Sequence, residues 1–449
     1  MSLWMPKKKP LYAPMMATFG GGSVRGFGHG ISVGGGATGW ITGYDASGNF
    51  GDYRGMAIDS SDNIICVGNR RQIHKYDDDG SLLWQKQFST GELYGCAVDS
   101  SDNIIVCGRA DVGANGYSGF ISKLNSSGVI QWQRYLDSSG TDLFDSVAVD
   151  SNGDIAVGGQ FSPGTYGTLP DFIVAKYNSS GTLQWYKLLG GPSNLRDEYV
   201  GDIIVDGSNN IYAIGGSASD GAGSFDWWIG KFSSSGSISW QKTYGYSSTD
   251  RGRGLALDSS GDLIAVGTFR PGAWGAGIAK ISSSNGAMGT VKIFRHSSVP
   301  EFHSVAVDSQ GYIYACGNSD DGTDNLSISK FDSNLNVEWH NEFDSPGVPS
   351  LFNRVRVNSN DEPIVCGQER YFQGANNDPI VAKIPHDGTG HGSYGNYLTY
   401  QTPNYTTMTW AGTEATAALQ VVTTGLTSGT SSLTIANDNS TQLAFYDMN

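Results

Sequence analysis

SVAVDSNGDIAVGGQ, residues 146–160, returns as DIIVDGSNNIYAIGG at 202–216 and again as GLALDSSGDLIAVGT at 254–268. A recurrence at a long, near-constant period marks a repeat architecture, because one unit cannot bury its apolar face without a neighbour. The acid that closes each copy stands at Asp59, Asp99, Asp150, Asp206, Asp258 and Asp308, with Asn358 in the last place. The chain therefore carries seven copies, at intervals of 40, 51, 56, 52, 50 and 50 residues. Within a copy, GCAVDSSDNIIVCG reads as two β-rich runs joined by Asp-Ser-Ser-Asp-Asn, residues that favour tight turns. GFISKLNSSGVIQWQRYL (119–136) repeats the pattern with Asn-Ser-Ser-Gly, so each copy holds two hairpins and four strands.

Seven such units predict an all-β fold, a seven-bladed β-propeller of four-stranded antiparallel blades, rather than a sandwich or a solenoid of shorter repeats. The second hairpin has its own markers: a lysine at Lys75, Lys123, Lys176, Lys231, Lys280, Lys330 and Lys383, and a tryptophan at Trp84, Trp132, Trp185, Trp240 and Trp339. The fifth and seventh copies lack the tryptophan. DFIVAKYNSSGTLQWYKLLGGPS followed by DIIVDGSNNIYAIGGSAS resembles the SBBP class of propeller repeats of bacterial and viral proteins, over roughly residues 39–400. That resemblance implies fold far more than function.

One hairpin is displaced. WITGYDASGNF (40–50) matches the second hairpin, with Gly43 where the lysine belongs, yet precedes the first full copy. A ring must join its first blade to its last, so this segment is read as closing the final blade. The competing reading is an eighth, incomplete blade completed by the C-terminal segment. The chain then divides into a glycine-rich N-terminal docking arm (1–38), the propeller (39–400) and a small C-terminal β extension (401–449). The extension reads as a cover for a blade, a small β-module or an assembly element.

Composition narrows the function classes. The 449 residues are 38% hydrophobic and include 63 glycines, as suits a turn-dense β protein. No run of apolar residues is long enough for a membrane span, and MSLWMPKKKPLYAPMM lacks the apolar core of a secretory signal, so none is expected. A formal charge of −15 disfavours nucleic acid, whose phosphates need clustered Lys and Arg. The five cysteines are odd in number and scattered over blades, which suits small buried hydrophobes rather than a disulfide framework.

No catalytic set assembles. The seven histidines are dispersed, HDGTGH has no zinc-ligand spacing, and DSSDN and YDDDG lack a full calcium loop and read as turns. GGGSVRGFGHG has neither the lysine nor the βαβ setting of a phosphate loop. No cofactor, metal or enzyme activity is expected. The Asp and Lys columns read as one structural pair reused in each blade, with Asn358 as a neutral substitute.

Recognition is expected where the copies differ. The turns DSSDN and NSSG share one face, and the connections on the other face are long and dissimilar, carrying Tyr117, Tyr166, Trp274, Tyr371 and Phe372. A second variable column lies five residues before each marker acid: Arg54, Tyr94, Asp145, Gly201, Arg253, His303 and Asn353. If the first strand lines the central channel, this column rings one mouth, around a ligand or around water. The residue before it is mostly apolar and is expected to pack between blades.

LYAPMMATFGGGSVRGFGHG (11–30) resembles opening segments of virion and tail proteins of marine bacteriophages. The resemblance implies a non-enzymatic virion protein of a tail or fibre, docked to other virion proteins by its arm and meeting a host glycan or protein with its propeller. Two other classes stay open. A sorting signal would favour a bacterial envelope or extracellular propeller that binds glycans or proteins, and a clustered acid and base would favour a propeller hydrolase or lyase.

Overall fold

The computed structural model describes residues 39–45, residues 51–388 apart from short stretches of loop, and the strands between Ser393 and Asp447, the last as backbone. The described residues form seven antiparallel sheets and no helix, hence no helix able to cross a membrane. Blade 1 runs outward from the axis as Tyr53–Ile58, Ile64–Gly68, Gln72–Tyr76 and Leu82–Phe88. Blades 2 to 7 begin with the inner strands Glu92–Val98, Leu143–Val149, Glu198–Val205, Arg251–Leu257, Glu301–Val307 and Leu351–Val357.

The sheets stack face to face because each buries alternate side chains against its neighbour. Ile105 and Cys107 of blade 2 share a core with Phe144, Val157 and Phe161 of blade 3, and Tyr53 and Cys66 of blade 1 share one with Ile364 and Cys366 of blade 7. All five cysteines are buried and free.

Blade 7 is built from both ends of the chain. Its strands Pro363–Glu369 and Asp378–Lys383 are followed in the sheet by Trp40–Asp45, antiparallel to Asp378–Lys383. The register corrects the alignment read from sequence. Gly43 faces Ile380, not a lysine position, and Trp40 faces Lys383, just as Trp84 faces Lys75 and Trp132 faces Lys123. The segment is thus an outer strand, and the tryptophan missing from the seventh copy is Trp40. Its indole Nε1 donates to the Asp78 carbonyl of blade 1 at 2.9 Å. Trp132, Trp185, Trp240 and Trp339 donate in the same way to the turn of the next blade, at Ser179, Ser234, Ser283 and His386.

The Asp–Lys pair exists in blades 1, 2, 3 and 5, with Nζ to carboxylate distances of 2.7, 2.7, 2.8 and 3.0 Å. Blades 4 and 6 depart from it. There Tyr212 and Tyr314 donate to Asp206 and Asp308, and the displaced Lys231 and Lys330 donate to carbonyls of the next blade while lying over those same rings. In blade 7, where Asn358 carries no charge, Lys383 turns to Asp78 and Glu362.

The short turns are tied to one another around the ring. Ser60 donates through N and Oγ to Asp102 of the next blade, and Ser309 to Asp361 likewise. Ser359 reaches Asp62 across the closure. Donors occupy these turn carboxylates, in keeping with their reading as turns.

The C-terminal segment leaves blade 6 and travels backwards round the rim. Leu398–Gln401, Thr406–Met408, Thr413–Thr416, Gln420–Val421, Thr427–Gly429 and Ile435–Ala436 add one strand each to the outer edges of blades 6, 5, 4, 3, 2 and 1. Thr441–Asp447 then pairs with Trp40–Asp45 on blade 7. An outer blade edge is a row of unpaired N–H and C=O groups, and such a belt covers all seven.

Candidate functional site at the channel mouth

Each inner strand breaks its ladder once, at the same place. The pairing slips between Tyr53 and Gly55, Leu93 and Gly95, Phe144 and Ser146, Val200 and Asp202, Gly252 and Gly254, Phe302 and Ser304, and Phe352 and Arg354. The residue skipped in each case is a member of the variable column, from Arg54 round to Asn353. A β-bulge leaves its extra residue unpaired and re-aims the side chain. The residue before it stays anchored, with Tyr53, Leu93, Phe144, Val200, Phe302 and Phe352 all buried; in blade 5 this place is Gly252.

The partner strand shows why the bulges form. A glycine stands nine residues after every marker acid, from Gly68 to Gly367. A Cβ at Gly68 would lie 1.8 Å from the Asp52 carbonyl oxygen, and one at Gly267 would lie 2.0 Å from that of Arg251. The bulged strand therefore needs glycine opposite it. This column was the sequence signal for the bulges, and sequence reasoning passed over it.

The seven bulged residues Arg54, Tyr94, Asp145, Gly201, Arg253, His303 and Asn353 line one cavity of about 280 Å³ at the channel mouth, on the face of the long loops. Gln160, Tyr199, Val200 and Arg354 complete its wall. Sequence reasoning missed these four. Arg354 had a signal, because the other blades carry Gly55, Gly95, Ser146, Asp202, Gly254 and Ser304 at its position. Small residues suit strands that converge on the axis: a Cβ on Gly55 would come within 2.8 Å of Gly95 Cα. From blade 7, Arg354 reaches across the lumen to the Gly201 carbonyl of blade 4 at 3.5 Å.

Most charges of the mouth are paired. Arg54 donates to Asp52 at 2.8 Å and lies over the Tyr94 ring at 4.8 Å. Tyr94 donates to Glu92, which also accepts from Arg109 at 2.9 Å. Arg253 and His303 both meet Glu301, at 3.4 and 3.3 Å. Burial alone would raise the Glu301 carboxyl, but His303 and the arginines more than offset it and hold it at about 2.

Two groups stand apart. Among the described residues, Arg354 donates only to the carbonyls of Asn353 and Gly201 and forms no ion pair. The Asp145 carboxylate accepts no hydrogen bond there. Burial pushes it up to about 7, against the pull of Arg54, Arg354, Arg253 and Arg109.

Two loop aromatics connect to this ring. Tyr117 is exposed and stacks under the Arg109 guanidinium at 4.5 Å, so a chain of contacts runs from Tyr117 through Arg109, Glu92 and Tyr94 to Arg54. The Arg251 and Arg270 guanidiniums both lie over the Trp274 ring, at 5.6 and 4.9 Å. Tyr166, Tyr371 and Phe372 lie outside the described residues, as does the N-terminal arm.

No protein-family model matches the chain, and no curated protein does. Among solved structures, the chain is similar to the RRP9 WD40 repeats, with a TM-score of 0.51 at 11% identity over 76% of this chain and 97% of that one. It is similar to U3-55K with a TM-score of 0.50 at 11% identity, over 76% and 98%. At such identities the likeness extends to the seven-bladed fold alone.

Proposed function

We propose that this chain is a non-enzymatic structural protein of a bacteriophage particle, a tail or fibre component whose propeller serves as a rigid platform for assembly or host-surface binding. The carrying observation is that the long-loop face and the channel mouth form one surface, through the contacts from Tyr117 to Arg54 and the arginine-flanked Trp274. The ring is braced at its turns, at its Trp staples and at its belt. Its variable residues are thereby presented on a scaffold that does not need to reorganise on binding. The acids Asp52, Glu92 and Glu301 are each held by arginine, an arrangement for positioning rather than proton transfer.

The particle setting is supported by the resemblance of residues 11–30 to phage virion segments. Mass spectrometry of purified particles tests it: the chain is expected among the structural proteins, and its absence overturns the particle setting. Deleting residues 1–38 is expected to abolish incorporation while the propeller stays folded, and normal incorporation overturns the docking arm.

A further inference from the structure

We propose that the channel mouth binds a small hydroxylated organic acid, an acidic monosaccharide unit of a surface glycan, with Arg354 contacting its carboxylate and Asp145 and Gln160 its hydroxyls. The inference rests on the platform reading and names the ligand of that platform's centre.

The unspent hydrogen-bonding groups carry the argument. Arg54, Arg253, His303 and Tyr94 each have an acidic partner in the ring wall. Arg354 forms no ion pair among the described residues, meeting Asp145 only through space, and neither the Asp145 carboxylate nor the Gln160 amide has a hydrogen-bond partner there. All three line the same cavity. A guanidinium without a carboxylate asks for an anion. A carboxylate and an amide beside it ask for O–H donors. One molecule bearing a carboxylate and several hydroxyls satisfies all three.

Size and charge agree. At about 30 Å³ per water, the cavity of about 280 Å³ displaces several waters at once, more than an inorganic ion needs and enough for one substituted sugar ring. Val200 is the one aliphatic side chain among the residues of its wall, so a lipid chain finds little to bury. A phosphate dianion brings a single O–H donor to Asp145 and Gln160, whereas a sugar with its carboxylate at Arg354 brings several. The chain as a whole carries −15, so the Arg354 guanidinium, with no ion pair among the described residues, is a local attraction for an acid on an otherwise acidic protein.

Calorimetry on the full chain tests the proposal with glucuronate, N-acetylneuraminate, glucose and inorganic phosphate as probes. One of the acidic sugars is expected to bind, with glucose weaker by about tenfold or more, the worth of one charge-assisted hydrogen bond. Arg354→Gln is expected to remove that preference for the acid, and Gln160→Ala to weaken binding while leaving the fold intact, because that side chain has no hydrogen-bond partner among the described residues. Phosphate binding as well as the acidic sugars overturns the sugar assignment in favour of a plain anion cradle, and binding of none of the four overturns the proposal. The platform reading fails separately, if the chain adsorbs to no host surface and to no particle protein.

Discussion

Trp40 and Lys383 face each other in the outer hairpin of blade 7, although almost the whole propeller separates them in sequence. Every other blade that has this Trp–Lys pair makes it within one repeat, so the closure reproduces a local contact by joining the two ends of the ring. The Trp40 indole also bonds to blade 1, and its side chain is buried.

Trp40→Ala is therefore expected to destabilise the protein by about 3–5 kcal/mol, the usual cost of emptying a large buried aromatic site. Trp185→Ala, at the equivalent but less buried place of blade 3, is expected to cost less. Denaturant unfolding of the two variants decides it; equal losses would mean that closure has no special weight.

The bulge predicts a second outcome. Gly68→Ala drives a Cβ onto the Asp52 carbonyl oxygen, and backbone cannot yield as a side-chain tip can. A loss of at least about 1–3 kcal/mol follows, together with weaker binding at the mouth, because Arg54 leaves its position. A variant with full stability and unchanged binding would show that the bulge can be flattened without consequence.

The Asp–Lys pairs give a ranking. Lys75→Met leaves Asp59 buried without its cation, a change that costs roughly 3–5 kcal/mol. Lys231→Met leaves Asp206 still held by Tyr212 and Asn210, so the expected loss is nearer about 1 kcal/mol. Thermal unfolding of both variants side by side checks the order.

Stability should fall as pH rises from about 4 to about 7. Burial raises the Asp145 and Asp250 carboxyls to about 7, and those of Asp142 and Asp171 to about 6. The folded protein thus holds these protons more tightly than the unfolded chain. Their contribution is complete below the ordinary carboxylate range near about 3.9 and is lost as pH passes 6 to 7. Asp59, Asp99, Asp206 and Asp258 act in the opposite sense: burial opposes their ionisation, but Lys or Asn partners and backbone N–H donors lower them, and their stabilisation fades in acid. A melting temperature highest in mildly acidic buffer is expected. Asp145→Asn should flatten the decline between about pH 4 and 7, and an unchanged slope would remove Asp145 from the account.

Recognition has its own prediction. Tyr117→Ala and Trp274→Ala are expected to weaken surface adsorption with little change in melting temperature, since a few aromatic anchors often dominate an interface. Ser179→Ala, on the face of the short turns, should leave adsorption intact. Normal adsorption by both aromatic variants would return those rings to loop packing.

Blade number, hairpin turns and the variable column were all legible in sequence, because each reflects a period set by neighbours in the chain: two residues along a strand, four strands to a blade, and about fifty residues between copies. The same local logic misread the register of the closing strand. WITGYD resembles a third strand, and only the ladder across blade 7 could show that it is a fourth, with Trp40 rather than Gly43 opposite the lysine. The departures of Tyr212 and Tyr314 from the Asp–Lys rule were equally hidden, because a phenol reaches its acid through space and leaves both repeat columns intact. Tertiary structure alone decided the belt, whose strands find partners on blades far away in sequence. It also decided the mouth. Converging inner strands bring blade 7 within reach of blade 4, so that Arg354 and Asp145, from separate repeats, share one cavity.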